Sequence, residues 1–600
     1  MQGPQFRCAG DREVLLVPVL DRKWWTLIAV CTATFMLLLD ITVVNVALPS
    51  IQRSLHSSFS DLQWVVDAYA LTLAAFLLTS GVVGDMFGRR VVFAAGLGLF
   101  SAASLVCGLS TTSLMLNLAR AVQGVGGAIM FATSLALIAG AFLGRDRGTA
   151  FGIYGAVTGG AVAVGPLLGG AITSGIGWRW IFFVNVPIGV IAIAVTLARV
   201  PESTATGGRR VDWTGFVSFS ASLFMLVFAL VRGNDSGWKS APILGLLVGA
   251  VVLMVVFVVA ELRQSHPMLD LSLFRRPAMV GVSFTAFALS ASLFAMFLYL
   301  TLYIQDDLGY GPMAAGVRFL PITLLSFAVA PFAGKLTVRV HARYLLGTGL
   351  VLVGIGQLLM ATTHAASGWT QLLPGFVVGG AGIGMINPVL ASSAVAVVPH
   401  ERSGMASGAN STFRQVGLAT GIAGLGAIFQ SQIVHRTLST LSATPAGRQV
   451  ASFGGSRLDV ALSAGQVQSL AKSPGVTAAG RSSLLHAYRV GFSGTLDELL
   501  VIGGVLALVG AALAFALVRQ RDFVASGVAG ARTPGLDGRD APAQQGGQGE
   551  VAGQGEQTGQ GEQTGQGEQT GQATQPQPTG AVEGPAATVG VVGDDRGAGR

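Results

Sequence analysis

A few ionisable side chains sit inside long apolar runs, where a charge is costly and therefore a candidate for function. Asp40 lies fourteen residues into the run Thr26–Leu48, about 21 Å along a helix at roughly 1.5 Å per residue. Asp67 and Arg120 fall about 8 and 9 Å into runs traversed from the opposite side. All three therefore share one half of a bilayer. A carboxylate and a guanidinium at matched depth can pair, which lowers the cost of burying each. Such a pair can also release a proton when a ligand binds. Asp40, Arg120 and Asp67 are thus the candidates for proton coupling. Arg414, deep in a later run, is a further candidate. Structural ion pairing or interfacial snorkelling is the plainer alternative for each.

Two glycine-bearing clusters accompany these charges. Gly81-Val-Val-Gly-Asp-Met-Phe-Gly-Arg-Arg90 falls between two apolar runs. Its glycines permit a tight turn, and Asp85 can accept hydrogen bonds from helix N-termini and from the arginines beside it. That chemistry suits a latch between helix bundles. The second cluster, Gly165-Pro-Leu-Leu-Gly-Gly170, combines a helix-kinking proline with small residues that let a neighbour come close.

Helices must position all of these groups. A helix needs about 20 apolar residues to cross a hydrocarbon core. Fourteen such runs can be marked. The first eight are Thr26–Leu48, Leu62–Val83, Val91–Leu109, Leu114–Phe142, Ala150–Ile172, Trp180–Ala198, Trp213–Val231 and Ile243–Glu261. The last six are Met279–Ile304, Gly316–Leu336, Tyr344–Thr362, Leu373–Val398, Gly404–Ile428 and Leu499–Val518. Arginine and lysine crowd the even-to-odd connections, among them Arg89, Arg90, Arg147, Arg210, Arg276, Arg339 and Arg402. The opposite short loops hold little beyond Arg53, Arg179, Arg232 and Lys239. This asymmetry predicts that both termini are cytoplasmic. No cleavable leader is expected, because Val14–Leu20 is short and Asp21-Arg22-Lys23 follows it.

Composition agrees. The 600 residues are 51% hydrophobic and only 11% charged, against roughly a quarter charged in soluble domains. Mean hydropathy is +0.63. Together these values exclude a soluble enzyme, a disordered chain and a disulfide scaffold. The net charge of +8 is spread over short loops and forms no nucleic-acid-binding face. Three scattered cysteines and seven scattered histidines offer no metal site, and no nucleotide or nucleophile signature is present, so no cofactor is expected. The expected fold is therefore an all-α polytopic membrane protein. Residues 430–498 are polar and read as an extracellular loop. Residues 522–600, with GQGEQT three times over 553–570, read as a disordered tail.

The motifs stand in a recognisable order. Leu39-Asp-Ile-Thr-Val-Val-Asn45-Val-Ala-Leu-Pro49 precedes Trp64 and Tyr69, then Gly81–Arg90. Leu118-Ala-Arg120-Ala-Val-Gln123-Gly124-Val-Gly126-Gly127, Gly165–Gly170, Gly177–Gly189 and Gly404–Gly417 follow. From about Trp24 to Arg521 the chain resembles the major facilitator superfamily, and within it the fourteen-helix drug:proton antiporters of the EmrB/QacA type. The resemblance implies two six-helix halves (residues 26–200 and 279–518) with two helices inserted over 201–278, after a cytoplasmic N-terminus (1–25). It implies a loop motif (Gly81, Asp85, Gly88, Arg89, Arg90), a helix 4 motif (Arg120, Gln123, Gly124, Gly127) and an antiporter motif (Gly165, Pro166, Gly169, Gly170). Asn45 belongs to the helix 1 signature. Met86 departs from the loop motif, which usually has arginine there, and Ala161 stands where the antiporter motif often begins with glycine.

The resulting expectation is proton-coupled export of a hydrophobic or amphipathic small molecule across a bacterial cell membrane, by a lipid-embedded monomer. A facilitator or importer of a small metabolite is the alternative among transporters. A non-transporting membrane receptor or scaffold is the alternative class.

Overall fold

The computed structural model describes residues 21–56, 59–203, 212–264, 267–364, 367–463, 467–471, 473 and 476–523. Every one of them belongs to a single compact unit, Met1–Arg532. Of the N-terminus expected at 1–25 and the tail expected at 522–600, residues 1–20 and 524–600 fall outside the described residues, as do the side chains of Asn45 and Pro166.

The described residues form helices and no strand. In chain order the long ones are α1 (Arg22–Leu55), α2 (Phe59–Phe87), α3 (Arg89–Leu109), α4 (Ser113–Ala141), α5 (Gly144–Gly175) and α6 (Trp180–Arg199). Next come α7 (Trp213–Ser236), α8 (Ala241–Arg263), α9 (Pro277–Gln305), α10 (Leu320–Leu336) and α11 (Ala342–Met360). The last three are α12 (Leu373–Ala396), α13 (Ser403–Ser442) and α14 (Ala478–Leu517). Twelve of these are long and apolar enough to cross a membrane. The other two are α5, some of whose side chains lie outside the described set, and α10, which has 17 residues.

Local chemistry sets several boundaries. The Thr112 hydroxyl caps α4 by accepting from the Met115 amide at 3.2 Å. Asp212 caps α7 through the Gly215 amide at 2.7 Å. Gly88, at φ +104°, makes the turn between α2 and α3. Just beyond it, Glu202 accepts from the Arg90 and Val91 amides at 3.0 and 3.3 Å. In α6 the regular ladder pauses at Val184, between Trp180–Phe183 and Asn185–Arg199. Pro187 has no amide hydrogen to close that turn. Two π turns, Ser290–Phe294 and Tyr303–Asp307, interrupt the ninth helix and its end.

The segment read as an extracellular loop is helical instead. Helix α13 runs on to Ser442, Pro445–Ser463 and Val467–Ala471 follow, and α14 begins at Ala478 rather than near Leu499. Leu441, Val450, Leu458, Leu462, Leu484 and Phe492 form a buried stripe there. Arg436 and Glu498 close it with an ion pair at 2.6 Å. Serine, alanine and glycine dilute the apolar spacing, so the helical period is faint in the sequence.

Helices α1–α6 pack chiefly on one another, and so do α9–α14. The two groups meet along two seams, α2 against α13 and α5 against α10 and α12. Helix α7 lies over the first seam, touching both α2 and α13. The Asn234 amide donates to the Ala423 carbonyl at 3.1 Å, and the rings of Trp64 and Phe228 are 5.5 Å apart. Helix α8 packs mainly on α7. It exposes Leu244, Val248, Val251, Val252, Val255 and Leu262. In water such a surface would be an aggregation liability, whereas lipid solvates it.

Candidate functional site

Asp40 of α1 and Arg120 of α4 meet in the interior of the first helix group. Arg120 Nη1 lies 2.5 Å from Asp40 Oδ2, and the two residues are 1% and 2% exposed. Gln123, one turn further along α4, completes a triangle. Its Oε1 accepts from Arg120 Nη1 at 2.7 Å, and its Nε2 donates to Asp40 Oδ1 at 3.0 Å. Asn185, held inward at the α6 interruption, donates to Asp40 Oδ1 at 3.3 Å and to Ser104 Oγ at 3.1 Å. Arg120 Nε donates to the Val65 carbonyl at 2.9 Å, and its Cζ stands 4.1 Å from the Tyr69 ring centroid.

Close helix approach permits this geometry. A Cβ on Gly124 would overlap Thr72 and the Tyr69 carbonyl, and one on Gly127 would press on Leu37 and Leu73. The two glycines of the helix 4 motif thus let α2 and α1 come near enough for Arg120 and Gln123 to reach Asp40. Chemically, the arrangement is a carboxylate whose charge is balanced in place.

A second polar cluster lies at the arginine-rich end of the bundle. Asp85 accepts from the Gly404 and Met405 amides at 3.0 and 2.9 Å, the first free amides of α13. Arg89 Nε donates to Asp85 Oδ1 at 2.9 Å. A Cβ on Gly81 would collide with the Gly404 carbonyl, so glycine is required on both sides of this contact. Arg90 turns away and lies 3.6 Å from Glu202. Nearby, Arg402 pairs with Asp270 at 2.6 Å. Burial works against the Asp270 carboxylate, but Ser272 and Arg402 outweigh it and hold its pKa below the usual range.

The sequence profile of the Major Facilitator Superfamily matches residues 30–422, which span both polar clusters. The chain belongs to the Major Facilitator Superfamily. It is 36% identical over 404 residues to the multidrug resistance protein Stp of Mycobacterium tuberculosis (strain CDC 1551 / Oshkosh), covering 67% of this chain and 75% of that one. It is 31% identical to the tetracenomycin C resistance and export protein of Streptomyces glaucescens, covering 82% and 91%. Among solved structures, the proton:xylose symporter XylE superposes with a TM-score of 0.53 at 13% identity, over 83% of this chain and 96% of that one. This last likeness is one of fold. As a superfamily member the chain is a multi-pass membrane transporter of small molecules, not an enzyme.

Within the superfamily fold, the antiporter motif is a packing surface. Gly165 and Gly169 of α5 face Thr42 and Val43 of α1, and a Cβ on Gly165 would overlap the Thr42 hydroxyl. Gly170 faces Met313, 3.8 Å from a Cβ built there. Asp67 does not join Asp40 and Arg120 in the network described above. It shares the α2 face of Trp64 and Leu71, which packs on Phe228 and Val227 of α7. Val65 and Tyr69 occupy the face that meets Arg120. We therefore expect Asp67→Asn to change transport in proteoliposomes far less than neutralising Asp40 does. Arg414 is also remote from Asp40 and lies toward Phe294, with its Cζ 5.6 Å from that ring.

Asn185 is the residue that the spacing argument missed. A neutral amide carries no charge penalty to flag it. Its signals in the sequence were its place within Gly177–Gly189 and at the start of a proline-interrupted helix.

A cleft of about 610 Å³ opens at the arginine-rich end of the second seam. Thr149 of α5, Phe332 and Lys335 of α10 and Met385 of α12 line it, with Arg339 beside them.

Proposed function

We propose that this chain exports a hydrophobic or amphipathic drug, antibiotic or secondary metabolite across the bacterial plasma membrane in exchange for protons. The observation that carries the reading is the buried Asp40–Arg120 pair, 2.5 Å apart and braced by Gln123 and Asn185. A carboxylate so placed takes up a proton when the bundle is open outward and gives it back when open inward. On protonation Arg120 loses its counter-ion, but Gln123 and the Val65 carbonyl remain as acceptors. Arg120 thereby sets the moment of proton release. The names of the relatives, multidrug resistance and tetracenomycin C export, support the cargo class.

All fourteen helices cross the membrane in this reading. The halves are α1–α6 and α9–α14, α7 and α8 are inserted, and both termini are cytoplasmic because the arginine-rich loops are. Asp85 and the start of α13 form the cytoplasmic latch. Cargo binds near the midplane between the halves, exposed alternately to each side. The working unit is a lipid-embedded monomer.

Expression in a drug-sensitive bacterium tests the reading. Cells should tolerate about tenfold more of at least one hydrophobic antibiotic, the equivalent of 1.4 kcal/mol of driving force. An uncoupler should abolish that tolerance. Tolerance that persists with the proton gradient collapsed rejects proton exchange, and drug accumulation instead of exclusion reverses the direction.

A further inference from the structure

The bundle holds a cation that the proton-exchange network does not use. Arg414 is the twelfth of the 40 residues of α13, about 17 Å from its start, and keeps part of its surface accessible. No ion pair to it occurs among the described residues, and the titratable group in its electrostatic range is Tyr154 of α5, from the opposite half. An arginine without a counter-ion inside a membrane bundle is expensive to keep.

Unsatisfied polar atoms lie around it. The buried Tyr154 hydroxyl faces the Thr34 hydroxyl of α1. Asn410, one turn before Arg414 on the same face of α13, leaves its Oδ1 unpartnered at 4% exposure. Asn387 of α12 does likewise, also at 4% exposure. Its neighbour Pro388 stands against Gly155, next to Tyr154. Four helices from both halves therefore bring polar groups to the same level.

An aromatic wall adjoins them. Phe294, beside Arg414, begins a series through Phe297 to Phe319, with successive centroids 6.1 and 5.6 Å apart. No acid balances the cation from α10, since Gly316–Leu336 contains neither aspartate nor glutamate.

We propose that Arg414 docks the anionic group of the cargo, so that the exported class is planar aromatic compounds bearing a carboxylate or acidic phenol, not lipophilic cations. The proposal rests on the export reading and names its substrate class. A guanidinium offers a carboxylate two parallel donors, the aromatic wall takes the ring system, and the amides and tyrosine take carbonyl or hydroxyl substituents.

The test uses the full chain in proteoliposomes with three probes: anthraquinone-2-carboxylate, its uncharged carboxamide and the cation ethidium. Binding is followed by tryptophan quenching, and transport by uptake into inside-out vesicles under an imposed pH gradient. The carboxylate should bind at least about tenfold more tightly than the carboxamide, as a charge-assisted bidentate contact implies. Arg414→Gln should bring the two within about threefold, and Arg414→Lys should keep an intermediate preference. Equal binding of carboxylate and carboxamide to the wild type, or an unchanged preference in both variants, overturns the proposal. Transport of ethidium without the carboxylate also overturns it, while leaving export itself intact. Selective carboxylate binding with no gradient-driven movement of any probe upholds the anion site and rejects the export reading.

Discussion

Replacing Asp40 with asparagine should reduce gradient-driven export at least about 100-fold, the scale on which a positioned proton-transfer group acts. The side chain keeps its shape, so the change isolates the proton. Breaking a buried ion pair often costs about 3–5 kcal/mol, because it strands the partner charge. Here Arg120 keeps the Val65 carbonyl at 2.9 Å, Gln123 Oε1 at 2.7 Å and the Tyr69 ring. The variant should therefore reach the membrane in normal amount, which a fluorescent fusion would verify. Asp40→Glu should recover part of the activity, since it restores the ionisable group. Undiminished uphill export by the asparagine variant would remove Asp40 from the coupling mechanism.

Gly81→Val should be nearly as damaging, through sterics instead of charge. A side chain at residue 81 must enter the space of the Gly404 carbonyl, so α2 and α13 can no longer close. Overpacking of this kind costs about 1–3 kcal/mol. Placed on one side of a two-state equilibrium, that displaces the populations by about 5- to 150-fold. Transport should fall by a similar factor with little loss of protein. Cysteine accessibility near Asp85 should rise at the same time, because its two amide donors move away with α13. A variant that transports normally with the Asp85 region still protected would show that this contact is not a latch.

The sequence and the structure agree most closely where helical geometry is simple. Counting residues along two apolar runs placed Asp40 and Arg120 at one depth, and the side chains meet at 2.5 Å. The same counting included Asp67, yet depth says nothing about which face of α2 a residue occupies. Two residues separate it from both Val65 and Tyr69, enough to turn it toward α7. The glycines and aspartate of Gly81–Arg90 suggested a contact between helix groups, and Asp85 makes one. Its partner, the start of α13, is more than 300 residues away, and only the packing names it. The helices over 430–498 escaped notice for a different reason. Their stripe of leucines and valines is spread thinly through serine and alanine, so hydropathy alone resembles that of a loop.

Among the described residues, helix α7 covers one seam between the helix groups, and the other seam carries no long inserted helix. Along the second seam, Phe327 and Phe332 of α10 are exposed, an apolar surface of the kind that lipid solvates. In the export reading, a greasy compound already dissolved in a leaflet would step sideways into the protein along that seam. Clearance of such compounds would then track how well they partition into lipid, and their dissolved concentration in the surrounding water would matter little.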